Sequence, residues 1–396
     1  MLEEIKKLDK QYYMNTFGER LPVAFEKGEG MKLFADDGKE YYDFLGGIAV
    51  NALGHSHPKF IKALKAQADK VLHTSSLYYI ENQAKLAQKL VEHSSADKVF
   101  FCSTGAEANE GALKLAKIYF YKKGIEKYEI ISLDKSFHGR TLATVAATGQ
   151  EKYQKPYRPL VPGFTQVKPN DIEAVKAAVT DKTAAIMIEL IQGESGVHPM
   201  DKAYVQALRK LCDEKEIILI FDEVQTGMGR CGEWFAHQYY GVEPDIFTSA
   251  KALGCGIPIG AVCAKDFVAS AFAPGDHGTT YGGNPFACAA ISKVIDLFEE
   301  EKVLDNVRKV GAYLWKELDK LTEKYDSIIA HRGVGLMQGL VFDKPVAPVI
   351  NKALEMGLVL INAGTQIIRF VPPLVISEKD VDDMIQILDT CLKELE

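Results

Sequence analysis

The 396-residue chain lacks a basic excess, a long apolar run, paired cysteines and internal repeats, and each absence removes a class of function. Lys and Arg total 47 against 54 Asp and Glu, giving a net charge of −7. A nucleic-acid-binding chain ordinarily shows the opposite balance. Apolar runs such as Ile217 to Phe221 fall far short of the roughly 20 residues that span a bilayer. The first residues, Met1-Leu-Glu-Glu-Ile-Lys-Lys, are charged where a signal peptide carries its apolar segment. The seven cysteines (102, 212, 231, 255, 263, 288, 391) are scattered, odd in number and form no Cys-x-x-Cys pair. A reduced, cytoplasmic chain is the expectation. With 47% apolar and 26% charged residues, wholesale disorder, collagen and coiled coil are excluded.

What is present is alternation. Runs rich in β-formers at Lys98–Ser103, Tyr128–Asp134, Ala184–Leu190, Glu216–Glu223, Asp245–Ala250 and Ile259–Lys265 are separated by stretches long enough for a helix. Several are almost continuously apolar, as strands covered on both faces are. The pattern predicts an α/β fold with a mostly parallel central sheet flanked by helices. Thr104-Gly-Ala-Glu107 reads as a capping box opening a helix that stops near Gly124. Ser377 can cap a last helix with Val381, Met384, Ile385, Leu388 and Leu392 on one face. The alternation fades after about residue 295. Three parts are expected: 1–50, an N-terminal segment packing with the small domain; 51–294, a large domain; and 295–396, a smaller α+β C-terminal domain.

Two strand ends carry the chemistry. One ends in Asp222-Glu223; the other ends at Lys251, before the glycine-rich Gly254-Cys-Gly-Ile-Pro-Ile-Gly260. Ligands of open α/β sheets bind outside the carboxyl ends of strands, so the acid and the lysine can converge on one ligand. Pyridoxal phosphate catalysis needs both: a lysine that forms a Schiff base, and a carboxylate that keeps the pyridine nitrogen protonated. A loop lysine and a helix-capping aspartate fit the same spacing equally well. Ser103-Thr104-Gly105-Ala106, between a strand and a capped helix, offers free N–H groups to a phosphate, though a well-capped helix alone explains it. It lacks the P-loop lysine. Gly227-Met-Gly229-Arg-Cys-Gly232 has dinucleotide spacing, but Asp222 to Thr226 intervene between strand and glycines. His55, His57, His73 and His93 lack a third ligand at metal-site spacing; structural roles are expected of them. Arg140 and Arg369 are flanked by aromatic and apolar groups, a setting suited to holding a carboxylate bidentately.

The chain resembles the class III, ornithine/acetylornithine-type aminotransferases, pyridoxal-phosphate enzymes of fold type I, over essentially its whole length. The motifs are Phe44-Leu-Gly-Gly-Ile-Ala-Val-Asn51, Gly54-His-Ser-His-Pro58, Ser103-Thr-Gly-Ala-Glu-Ala-Asn109, Ser136-Phe-His-Gly-Arg140, Gln192-Gly-Glu-Ser-Gly196, Phe221-Asp-Glu-Val-Gln-Thr-Gly227, Ser249-Ala-Lys-Ala-Leu-Gly254, Thr279-Thr-Tyr-Gly-Gly-Asn-Pro285 and Arg369-Phe-Val-Pro-Pro373. The resemblance implies roles. Lys251 would carry the cofactor and the proton, and Asp222 would pair with the pyridine nitrogen. Gln225 would bond the ring's 3-hydroxyl, with Phe137 and Val224 on the two ring faces. Ser103, Thr104, Gly105 and Ala106 would hold the phosphate. Thr280 would reach it from the partner subunit, which makes a homodimer with shared sites the expectation. Arg140 and Arg369 would bind substrate carboxylates, and Glu194 would pair with Arg369.

Members that use free ornithine usually carry tyrosines at two pocket positions, here Lys32 and Ile48. The donor implied is N2-acetyl-L-ornithine, its 5-amino group passing to 2-oxoglutarate in a ping-pong course within arginine biosynthesis. Succinylornithine, succinyl-diaminopimelate, ornithine and 4-aminobutyrate are the rival donors. A dinucleotide-dependent oxidoreductase and a non-catalytic α/β binding protein are the rivals of other classes. Glu189-Leu190 departs from the Glu-Pro of many relatives and touches no expected role.

Overall fold

The computed structural model describes residues 1–395. The chain opens with helix α1 (Leu2–Tyr12), none of whose side chains is buried. Strands β1 (Phe25–Glu29), β2 (Lys32–Ala35) and β3 (Glu40–Asp43) form an antiparallel run. Short length and exposed polar positions hide these strands in the sequence, yet Phe44 beyond them is fully buried.

Seven strands build the central sheet: β4 (Lys98–Cys102), β5 (Glu129–Leu133), β6 (Phe164–Val167), β7 (Thr183–Ile188), β10 (Ile218–Asp222), β11 (Ile246–Ser249) and β12 (Gly260–Ala264). Their order is β4-β12-β11-β10-β7-β5-β6. Between β7 and β10 lies a small hairpin of β8 (Ile191–Gln192) and β9 (His198–Pro199). Pairings β10 to β11, β10 to β7, β7 to β5 and β5 to β6 are parallel. Only β12 runs against both neighbours, so the expected mostly parallel sheet is found. Every residue of β7, β10, β11 and β12 is buried, as their unbroken apolar composition requires of strands covered on both faces.

Helix α2 (Gly105–Lys122) follows β4 and lies along β11 and β12. Thr104 caps it, accepting from the Glu107 N–H at 3.1 Å. The reciprocal bond differs from a standard capping box: Glu107 Oε2 accepts from Ser103 N–H, one residue before the cap. Gly124, at φ +69°, follows the helix end.

Helices α3 (Pro285–Glu300) and α4 (Val303–Lys324) lead to the C-terminal part. There β13 (Ile328–Val334), β14 (Met337–Phe342), β16 (Ile361–Asn362) and β17 (Ile367–Phe370) form a second sheet in the order β13-β14-β17-β16. The two-residue β15 (Leu358–Val359) instead pairs in parallel with β3, joining the chain's first strands to its C-terminal third. The last helix, α5 (Glu378–Leu395), is capped reciprocally by Ser377 and Asp380 and buries Val381, Met384, Leu388, Cys391 and Leu392. No helix among the described residues is long and apolar enough to cross a membrane. All seven cysteines are free and buried.

Candidate active site

The site lies at the carboxyl ends of β10 and β11. Asp222, the last residue of β10, is register partner to Thr248 of β11, and Lys251 follows two residues after β11 ends. Asp222 is 4% exposed. Its Oδ1 accepts from the Val224 N–H at 3.0 Å, and its Oδ2 takes Asn109 Nδ2 and His138 Nδ1, each at 2.8 Å. Asn109 is fixed in turn, donating to the His138 carbonyl and accepting from Thr248 Oγ1. His138 Nδ1 therefore donates. Burial opposes its charged form, but the Asp222 hydrogen bond and charge prevail and its pKa is raised.

Lys251 adopts a left-handed backbone at φ +47°, a conformation that a non-glycine residue holds only where its surroundings enforce it. Burial, then the Arg369 cation, lowers its pKa to about 8 against the pull of Asp222, Glu189 and Glu194. The turn Gly46–Ala49 packs on residues 251–253. Its four residues lie at φ +57°, +63°, +65° and +62°, a left-handed turn that carries the β-branched, exposed Ile48.

The expected phosphate loop is adjacent. A Cβ on Gly105 would stand 2.8 Å from Val224 Cγ1 and 3.5 Å from Ala250, so the loop touches the β10 and β11 ends directly. Ala106 packs against Gly139, beside Phe137. The first N–H groups of α2, at Gly105 and Ala106, have no acceptor within the helix. Phe137 N–H donates to Glu189 Oε2 at 2.9 Å.

Farther out, Arg369 on β17 is 1% exposed. Its Nη1 donates to Gln225 Oε1 at 3.1 Å, and its Nη2 stands 3.7 Å from Glu194 Oε2 on the β8–β9 loop. The Arg140 guanidinium lies over the rings of Tyr153, at 4.0 Å, and Phe137, at 5.3 Å. Lys32 lies in the N-terminal sheet, paired to Glu40. Thr280 stands apart from these groups: it is exposed on the loop before Pro285, while Gly282 of that loop backs onto Cys102 at the end of β4.

Four site residues were missed by sequence reasoning. Asn109 and His138 lie inside quoted motifs, and a buried polar residue on the apolar face of α2 was the available signal. Tyr153 left no signal. Glu189, beside Leu190, carries no signal in the sequence; in the structure it is buried, and burial pushes its carboxyl up to about 7, a rise that the nearby Asp222 reinforces and His138 opposes. The dinucleotide alternative fails on packing. Gly229 faces Leu374, Phe298 and Leu304 within about 3 Å of where a Cβ would sit, and Met228 and Cys231 beside it are buried, so this loop has no room for a pyrophosphate. No cluster of metal ligands occurs among the described residues. His55 pairs with Asp43, His57 with Glu301 and His93 with Glu299.

A half-buried lysine and a buried carboxylate at adjacent strand ends, beside a helix N-terminus, define a pyridoxal-phosphate transferase of fold type I. The model of the class-III aminotransferases matches residues 13–392, and the chain belongs to that family, whose cofactor is pyridoxal phosphate. It is 51% identical to the acetylornithine aminotransferase of Methanocaldococcus jannaschii over 98% of each chain. It is 52% identical to that of Gloeobacter violaceus over 96% of this chain and 95% of the relative. Among solved structures, the ornithine aminotransferase of Toxoplasma gondii superposes with TM-score 0.95 at 32% identity, covering 100% of this chain and 96% of that one. The acetylornithine aminotransferase of Elizabethkingia anophelis gives 0.88 at 33% identity, with 99% of each chain covered.

The residues present fit the cofactor. His138 Nε2, Ser249 Oγ and Arg369 Nε are buried around the site without a hydrogen-bond partner, and Gly105 admits no side chain where a phosphate must approach.

Proposed function

We propose that this chain transfers the 5-amino group of N2-acetyl-L-ornithine to 2-oxoglutarate, giving N-acetyl-L-glutamate 5-semialdehyde and L-glutamate, as a cytoplasmic homodimer with shared active sites. The observation that carries the reading is the buried Arg369 facing Glu194 at 3.7 Å. An enzyme that alternates between a dicarboxylate and an amine donor needs an arginine whose charge can be used in one half-reaction and neutralised in the other. The named relatives at about half identity support the acetylated donor. Ile48, where users of free ornithine usually have a tyrosine, supports it further; Lys32, the second such position, is instead paired to Glu40 in the N-terminal sheet.

Bound pyridoxal phosphate supplies an aldehyde and an electron-withdrawing ring; the rest falls to this chain. Lys251 would hold the aldehyde. With its pKa near 8, Nζ is partly neutral close to physiological pH and can take and return a proton. Asp222, oriented by Asn109, His138 and the Val224 N–H, would accept from the ring nitrogen and stabilise its positive charge. Gln225 would meet the ring hydroxyl, with Phe137 and Val224 on the ring faces. Ser103, Thr104, Gly105 and Ala106 would hold the phosphate at the positive end of α2, and Thr280 would approach it from the partner. Arg140 and Arg369 would bind carboxylates.

The exposed Leu77, Tyr78 and Tyr79, and the exposed Tyr281 next to Thr280, are apolar side chains that suit the proposed dimer contact. We also propose the division into 1–50, 51–294 and 295–396, with α3 crossing the second junction. Initial rates on acetylornithine, succinylornithine, ornithine and 4-aminobutyrate test the function. kcat/KM should be highest for acetylornithine; a higher value for any other donor would overturn the assignment.

A further inference from the structure

The Arg369–Glu194 pair is loosely made. Its 3.7 Å separation exceeds hydrogen-bond length, and each partner is held by a neutral group instead. Gln225 Oε1 accepts from Arg369 Nη1 at 3.1 Å. On the other side the Tyr153 hydroxyl donates to Glu194 Oε1 at 3.3 Å. The two side chains differ in freedom: the Arg369 side chain is 1% exposed and that of Glu194 35%, so Glu194 is the one with room to move.

Tyr153 does not depend on Glu194 for its position. The Arg140 guanidinium lies 4.0 Å from its ring centroid. The Phe137 ring meets it nearly edge-on, with centroids 5.6 Å apart at 75°. Arginine and phenylalanine thus set the ring, and the ring presents its hydroxyl to the Glu194 carboxylate.

We propose that the Tyr153 hydroxyl is a specificity determinant: it holds Glu194 away from Arg369 while Arg369 binds the carboxylate of a glutamate-class substrate. This rests on the roles proposed above for Arg369 and Glu194. When a substrate carboxylate takes Arg369, Glu194 loses its counter-charge, and a carboxylate left without a donor is costly. The hydroxyl supplies that donor. Without it Glu194 keeps only solvent and Arg369 as donors, and the arrangement open to dicarboxylates becomes scarcer. A donor that presents its distal amine gains nothing from the hydroxyl.

The test is Tyr153→Phe, which keeps the ring between Arg140 and Phe137 and removes only the oxygen. The two half-reactions of the holoenzyme are followed separately by cofactor absorbance, on mixing with L-glutamate alone or with acetylornithine alone. The apparent Kd for glutamate should rise about three- to tenfold, the worth of one ordinary hydrogen bond, with that for acetylornithine unchanged or lower. In a Glu194→Gln background, adding Tyr153→Phe should shift the ratio of the two by less than about twofold. Equal shifts for both amines, no shift, or a full shift in the Gln background would each overturn the proposal. Should the wild-type enzyme react with glutamate but not with acetylornithine, the donor assignment fails by itself. The Tyr153 comparison then proceeds with whichever amine reacts.

Discussion

Lys251 Nζ sits where the uncharged amine is favoured, and that preference has a signature in the protein without its cofactor. Between about 8 and the ordinary value of 10.5, the unfolded chain binds a proton that the folded chain does not, so stability rises with pH across that window. Lys251→Met removes the dependence. In denaturant unfolding of cofactor-free protein at pH 7, the variant should be the more stable by on the order of 1–3 kcal/mol. The gap should narrow by pH 9.5, and one that is constant with pH would contradict the lowered pKa. Glu189 works with the opposite sign. Its carboxyl, pushed up to about 7 from 4.5, keeps a proton in the folded chain that the unfolded chain has lost. Wild-type stability therefore falls as pH rises through that interval. Glu189→Gln can still accept from the Phe137 N–H, so the ring should stay in place while the dependence flattens. Melting temperatures at pH 5 and pH 7.5 should show the variant gaining on the wild type at the higher pH.

Among the elements, the turn from β4 into α2 is sharply constrained. A methyl group on Gly105 would press on Val224 at 2.8 Å, pushing apart the proposed ring-facing residue and the phosphate seat. Gly105→Ala should weaken cofactor binding about tenfold, equivalent to about 1.4 kcal/mol, as read by titrating cofactor-free protein with pyridoxal phosphate. An unchanged Kd would move the phosphate seat elsewhere. Such elements were also where the sequence was most legible. Strands β7, β10, β11 and β12 are buried on both faces, so their composition alone marks them. The cap at Thr104 is a local hydrogen bond with a fixed spacing. Strand β6 and the N-terminal β1–β3 escaped because short strands with a wet face carry little periodicity. The partners of Asp222 escaped for another reason. Asn109, His138 and Glu189 come from three separate segments, and only the folded sheet end brings them together. Tyr153 was illegible for the same reason, since its neighbours Arg140 and Glu194 lie 13 and 41 positions away in the numbering.

On the scale of the whole molecule, Arg230 joins the cofactor-side loop to the C-terminal part. It is fully buried, and its Nη1 donates to the carbonyls of Leu336 and Pro372 at 3.0 and 2.6 Å. Burial lowers its pKa to about 9. Nε and Nη2 have no partner among the described residues, so much of the cost of burying this cation is not recovered. Arg230→Met, which keeps the length and removes the charge, should therefore be far better tolerated than Arg230→Ala, which leaves a cavity. Thermal unfolding should place the Ala variant about 2–4 kcal/mol below the Met variant. Equal losses would mean that the guanidinium bonds, and not volume, hold the junction.

The left-handed turn at Gly46–Ala49 bears on how this enzyme could change its diet. Ile48 is offered at the surface by a backbone that resists isoleucine, while Asp222 is anchored by Asn109, His138 and the Val224 N–H. Under the pocket role proposed for Ile48, replacing that one side chain alters which amines are admitted and leaves the bonds to Asp222 untouched.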